Sequence, residues 1–258
     1  MDWGNRISAP WRATLVVGFA ALIFWFAGSP AFAQFYVRSP DVKKGETAIE
    51  EHGALYSGPG EDEHRRQTHE VEGKYGLTDR WARIVEGFFR QDIGEDFEAR
   101  EFELGGQYEI IERHGDGLGF AFRTIYEFAL QSGEPDEILF GPLAKYVIGR
   151  DSAAINAFFI GQLGDEAEID SLELKVNWRL KHELNEKWAL GLEGYGEIED
   201  LSHAGTFDDQ KHRIGPVAYF EIGGHDGKPK WEFDFGTLFG ISDATSDVTY
   251  KFDAEVKF

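Results

Sequence analysis

Apolar and polar residues alternate with period two through most of this chain. In the last twelve residues Val248, Tyr250, Phe252, Ala254, Val256 and Phe258 are apolar, and every residue between them is polar. From Leu118, the residues Leu118, Phe120, Phe122, Thr124, Tyr126, Phe128 and Leu130 fall on one face, with Arg123 and Glu127 on the other. Phe102, Leu104, Tyr108 and Ile110 oppose Glu101, Glu103, Gln107 and Glu109 in the same way. Leu172, Leu174, Val176, Trp178 and Leu180 oppose Glu173, Lys175, Asn177 and Arg179, and Trp231, Phe233 and Phe235 oppose Glu232 and Asp234. Side chains on a strand point alternately to opposite faces, so each segment reads as a strand with one apolar and one polar face.

Eleven turn-rich clusters, from Ser57–Arg66 to Ser242–Thr245, separate these segments and predict twelve strands. The best-defined strands are longer than the roughly 5 or 6 residues usual in a soluble sandwich. They approach the length a tilted strand needs to cross a bilayer. The expected fold is therefore all-β, a single antiparallel transmembrane β-barrel of about twelve strands. Trp81, Trp178, Trp188 and Trp231 are expected at one membrane interface, where an amphipathic ring is favoured. The turns Leu77–Trp81 and Leu184–Trp188 repeat one pattern, Leu-Thr-Asp-Arg-Trp and Leu-Asn-Glu-Lys-Trp. Two strands fit poorly. The first, from Thr47, alternates weakly. In the third, Ile84 and Phe88 are the expected lipid-facing residues, with Trp81 turned aside by the nearby bend.

The first residues follow another pattern. Arg6 and Arg12 precede the apolar run Ala13–Ala27, and Ala31-Phe32-Ala33 follows Pro30. This is the layout of a signal peptide at 1–33, cut after Ala33, leaving a barrel domain at 34–258. The run is shorter than the roughly 20 residues of a spanning helix. The chain has no cysteine and a net charge of −21. So acidic a protein lacks the basic surface that nucleic acid requires.

The last strand resembles the terminal strand of Gram-negative outer-membrane β-barrel proteins, which carries alternate apolar residues and ends in Phe. The matching residues are Tyr250, Phe252, Ala254, Val256 and Phe258. The resemblance implies a porin-like barrel in the outer membrane of a Gram-negative bacterium. It also implies lipid and lipopolysaccharide around the wall, and barrel-assembly machinery that reads the terminal strand.

With the apolar faces in lipid, the polar faces line the lumen. Glu101, Glu103, Glu109, Glu127, Glu173, Glu232, Asp234, Asp253 and Glu255 are expected there, with Glu72, Glu193, Glu197 and Glu221. The inward bases are Arg123, Lys175, Arg179 and Lys251, with Lys74, Lys145 and Lys257. This excess of acids suits a channel passing small solutes, cations preferred. A closed barrel tied by paired charges fits the same residues, as would acidic outer loops that bind cations or a basic partner. Those loops hold Glu61, Asp62, Glu63, Asp92, Glu95, Asp96, Glu134, Asp136, Glu137, Asp165, Glu166 and Glu168. A third reading, an outer-membrane hydrolase, has one local candidate: His203, Asp208, Asp209 and His212 in the fifth outer loop. No cofactor motif or metal-ligand spacing stands out, and neither a cofactor nor a catalytic set is expected. The intact mass of protein extracted from membranes is expected to correspond to a chain beginning at Gln34; a mass that includes the apolar leader would mean it is retained as an anchor.

Overall fold

The computed structural model describes residues 35–57, 66–92, 94, 96–165, 167, 171–224 and 228–258; the expected leader lies outside them. Twelve strands follow one another: β1 Thr47–Ser57, β2 Gln67–Gly76, β3 Trp81–Gln91, β4 Glu98–Ile111, β5 Gly117–Ala129 and β6 Asp136–Ile148. The others are β7 Asp151–Leu163, β8 Leu172–Glu183, β9 Trp188–Ile198, β10 Lys211–Gly223, β11 Lys230–Gly240 and β12 Val248–Lys257. Each pairs antiparallel with its neighbour, and β1 pairs with β12, so the sheet closes into a barrel. The seam runs from Ala48 opposite Lys257 to Ser57 opposite Val248. Closure leaves no strand edge, which is what a hydrocarbon surround demands of a sheet.

Connections at one end are short, as at 149–150 and 184–187, and those at the other include the longer 199–210. At the short-turn end the two repeated turns fold alike. Leu77 and Thr78 both donate to the Trp81 carbonyl, at 2.7 and 3.1 Å, and Leu184 and Asn185 to that of Trp188, at 2.9 and 3.2 Å. The Thr78 hydroxyl and Asn185 amide oxygen each accept from the tryptophan N–H. Trp81 and Trp188 then lean on Tyr108 and Phe220 of the next strand in the same tilted geometry, at 4.7 and 4.6 Å. Trp231 is the second residue of β11, at the same end. Trp178 stands apart, five residues before β8 ends and opposite Ile155 and Gly194, nearer mid-wall than rim.

The outer wall exposes Phe102, Phe122, Ile155, Leu190, Phe235 and Tyr250. The expected facing of β3 is reversed. Ile84 and Phe88 are buried inside with Glu86, and Trp81 and Arg83 are exposed outside. Glu86 decides this, because its carboxylate pairs with two guanidinium groups in the lumen. Arg83 lies two residues from the rim, within a long side chain's reach of water.

Gly-Pro pairs interrupt two ladders without changing their register. In β6 the pairing skips Gly141 and Pro142, and in β10 it skips Gly215 and Pro216 on the β11 side. Proline has no N–H to donate, and the glycine beside it brings the backbone against the next strand. A Cβ on Gly141 would lie 1.9 Å from the Ala157 carbonyl oxygen, and one on Gly215 1.9 Å from that of Thr237. Gly215→Val is expected to lower the barrel's stability by about 1–3 kcal/mol, the usual cost of overpacking. Urea titration of tryptophan fluorescence in vesicles measures it; an unmoved midpoint would mean the close approach relaxes freely.

Candidate functional site

The lumen is threaded by the chain's own residues 35–46, which precede β1 and form no strand. At the long-loop end Phe35 packs edge-on against Tyr56 and Tyr195, at 5.7 and 5.1 Å, within a buried apolar cluster containing Val37 and Leu238. The Arg213 guanidinium lies over the rings of Phe35 and Tyr56. At the short-turn end the Gly45 N–H donates to the Gly76 carbonyl at 2.8 Å. The strap therefore runs the length of the barrel. Its backbone has no ladder, so wall side chains satisfy it. Asn156 accepts from the Arg38 N–H at 2.7 Å and donates to the Arg38 carbonyl at 3.0 Å. Asn177 donates to the Tyr36 carbonyl, Gln107 to those of Ser39 and Pro40, and Glu109 accepts from the Val42 N–H.

Charge fixes the strap at two further points. Arg38 pairs with Glu70, Glu72 and Glu86, the last at 3.0 Å. Arg123 of β5 joins them, 3.0 Å from Glu72 and 2.5 Å from Glu86. Asp41 receives Arg113 and Lys145, each at 3.0 Å. Burial alone would raise the Asp41 carboxyl, but Lys145 and Arg113 outweigh it and hold the group at about 2.

The wall carries its own pattern. Glu221 on β10 stands opposite Glu232 on β11, and Glu232 opposite Glu255 on β12. Across the seam Glu255 meets Glu50 of β1, which meets Glu72 of β2. Glu72 is opposite Glu86 on β3, Glu86 opposite Glu103 on β4, Glu103 opposite Glu127 on β5, and Glu127 opposite Glu137 on β6. Nine successive strands thus place a glutamate on one register line. The line climbs, since Glu221 lies two residues from the short-turn end of β10 and Glu137 one residue into β6 at the long-loop end.

Like charges directly opposite are destabilising, and cations offset them along most of the ramp. Lys230 and Lys257 pair with Glu232 at 3.1 and 2.8 Å. Lys257 also reaches Glu255 at 2.7 Å, and Arg38 and Arg123 hold the middle. Among the described residues, Glu103 and Glu127 have no cation within the 4.0 Å of an ion pair. Beside them a narrow space is lined by Glu101, by the cations Arg38, Arg123 and Lys175, and by apolar residues such as Phe88, Ile125 and Phe158.

A larger cavity of about 530 Å³ fills the short-turn half. Glu232, Asp234, Asp253 and Glu255 line one side, and Arg113, Lys145, Arg179 and Lys181 the other. Lys251 is buried between Glu193 at 2.8 Å, Asp234 at 3.2 Å and Asp253 at 2.7 Å. Glu173 and Lys175 pair with each other at 2.8 Å. The four fifth-loop candidates do not pair with one another. His203 bonds to Asp200, His212 to Gln210, and Asp209 turns back on Thr206. Several loop acids pair with bases on neighbouring elements: Asp92 holds Arg66 and Arg90, and Glu134 meets Arg100. Glu61, Asp62, Glu63, Glu95, Glu166 and Glu168 lie outside the described residues. Sequence reading missed Arg38, Asp41, Glu50, His52, Glu70, Glu86 and Asn156. Neutral amides at inward positions of an otherwise charged face, Gln107 and Asn177, were the available sign that the wall binds a peptide backbone.

A closed antiparallel barrel, apolar outside and charged within, defines this chain as a transmembrane β-barrel of outer-membrane type. Its fold is that of the porins. The NanC porin is similar with a TM-score of 0.52 and 11% identity, over 81% of this chain and 98% of that one. The KdgM porin in complex with disordered oligogalacturonate is similar with a TM-score of 0.51 and 6% identity, over 83% and 98%. Residues 152–258, less than half of the chain, match the family described as "Putative MetA-pathway of phenol degradation". No curated protein matches the sequence.

Asp41 makes docking of the strap pH-dependent. A carboxyl near 4 when free and about 2 when docked favours docking above pH 4 and loses that preference as pH falls from 4 toward 2. The chain has no cysteine, so a spin label on Lys44→Cys reports the strap alone. Its spectrum is expected to narrow over that range, and Asp41→Asn to narrow it already at pH 7; a label indifferent to both would rule out this anchoring.

Proposed function

We propose that this protein is a diffusion channel of the Gram-negative outer membrane for small organic cations, with its lumen narrowed by the strap at 35–46. The observation that carries this reading is the glutamate ramp. It offers carboxylates at successive heights from one mouth to the other, and among the described residues its upper part leaves Glu103 and Glu127 without an ion-pair partner. Acidic side chains lining a pore attract cations and repel anions. The apolar residues beside Glu103 and Glu127 suit a cation with an apolar body. Arg38, a cation on an aliphatic stem, already occupies the middle of the ramp. The family matched by residues 152–258 adds small aromatic compounds as a candidate solute class. We assign no catalytic role. Lipid and lipopolysaccharide are the expected surroundings, and Tyr250, Phe252, Val256 and Phe258 the expected signal to the assembly machinery.

The test is planar-bilayer recording under a salt gradient. The native barrel is expected to give small currents with a cation-selective reversal potential, and deletion of residues 35–44 to enlarge them severalfold. Glu103→Gln with Glu127→Gln is expected to move the reversal potential toward zero. Insertion without current in both the native and the strap-deleted protein would leave a closed structural barrel.

A further inference from the structure

At the seam, three side chains from two strands converge on one point of the lumen wall. Glu50 and His52 lie two residues apart on β1 and share its inner face, and Glu72 of β2 is the register partner of Glu50. One ligand atom from each lies within 4.8 Å of the other two, and all three side chains are buried. Two of these groups are unfinished. Among the described residues, His52 Nε2 and Glu72 Oε1 have no hydrogen-bond partner although each residue is 1% exposed. A buried polar atom left alone is costly.

The other atoms of the same residues are engaged. His52 Nδ1 lies 3.0 Å from Asp253 Oδ1, on the strand across the seam. With that hydrogen bond donated to Asp253, the lone pair of a neutral imidazole sits on Nε2. A carboxylate that orients a histidine through its far nitrogen is the usual support for a metal-bound imidazole. Tyr36 stacks on the ring at 4.1 Å and further fixes its plane. Glu72 Oε2 is held by Arg38 and Arg123, which leaves Oε1 as the free oxygen.

Spacing and charge agree. His52 Nε2 and Glu50 Oε2 are 3.5 Å apart, too far for a hydrogen bond. Two ligands each about 2.1 Å from a tetrahedral ion stand about 3.4 Å apart. Around this point the five acids Glu50, Glu70, Glu72, Glu86 and Asp253 outnumber the four bases Arg38, Arg123, Lys74 and Lys251; Lys74 is no closer than 3.9 Å to Glu50, and Lys251 pairs with Asp253 at 2.7 Å. Glu50, His52 and Glu72 all line the 530 Å³ cavity, so an ion has a route in.

We propose that Glu50, His52 and Glu72 form a binding site for a divalent transition-metal ion of the zinc class, with Asp253 as the positioning residue behind His52. One imidazole with two carboxylates, and no sulfur, suits Zn²⁺ or Co²⁺ better than Ca²⁺, which takes oxygen alone. The site joins β12, β1 and β2, so a bound ion fastens the strand pair that closes the barrel. It does not depend on whether the barrel conducts. The rival occupant is a proton, making His52 a plain cation among the acids.

The test is titration of the tag-free protein, folded in detergent micelles, with Co²⁺, followed by visible absorption and by displacement with Zn²⁺. One Co²⁺ per chain is expected, displaced by one Zn²⁺. Binding is expected to be lost in His52→Gln and Glu72→Gln, to weaken 10–100-fold in Asp253→Asn, and to survive in His69→Gln and His182→Gln. X-ray absorption of the Zn²⁺-loaded native protein needs no variant and is expected to show one imidazole with oxygen ligands. No stoichiometric binding, binding undiminished in His52→Gln, or a zinc shell with no imidazole or more than one would each overturn the proposal.

Discussion

A sheet in hydrocarbon has to satisfy every backbone N–H and C=O within itself. The rest of this molecule follows from meeting that demand with twelve strands. The pairing of β1 with β12 removes the last edge. The pleat then sends alternate side chains to lipid and to lumen, and the register decides which inward side chains become neighbours. Because that register sets glutamate opposite glutamate on strand after strand, the wall accumulates like charge that it does not neutralise alone. Part of the remedy comes from a segment outside the sheet.

The strap answers the opposite problem. It runs through a narrow lumen with no ladder of its own, so the wall supplies the missing partners as amide and carboxylate side chains. In return Arg38 and Asp41 bring one charge of each sign, and each finds two or more groups of the other sign. Segment and wall are matched in hydrogen bonding and in charge. Ends and middle are held by different means: rings at one end, a backbone hydrogen bond at the other, ion pairs between.

The architecture was legible because strand periodicity is a local property. The twelve strands and the positions of their turns follow from alternation and from clustered turn residues alone. The facing of β3 was not, since Ile84 and Phe88 carry the hydrophobicity that elsewhere marks the lipid side. What overrides it is the partnership of Glu86 with Arg38 and Arg123, residues 48 and 37 positions away in the chain. The glutamate ramp was invisible for a similar reason. Most of its members were readable as inward acids, but their alignment is a matter of register between strands. Glu50 and His52 were lost to the weak alternation of β1, where inward Ala54 and outward Glu51 blur the two faces. The strap lay in a stretch with neither period, so nothing in its own sequence said that it would be enclosed.

The ramp also gives the lumen a direction across its axis. Running from β10 through the seam to β6, it takes eight steps round a ring of twelve strands, about two-thirds of a circle. At the short-turn end Arg179 and Lys181 of β8 stand on the arc it leaves free. Were the lumen to conduct as proposed, ions of opposite sign would be drawn to different sides of it, and the acidic side winds as it climbs. A zwitterion, with both signs on one small body, would have no single side to follow. It would be turned until its dipole lay across the passage, and would go on turning as it moved along.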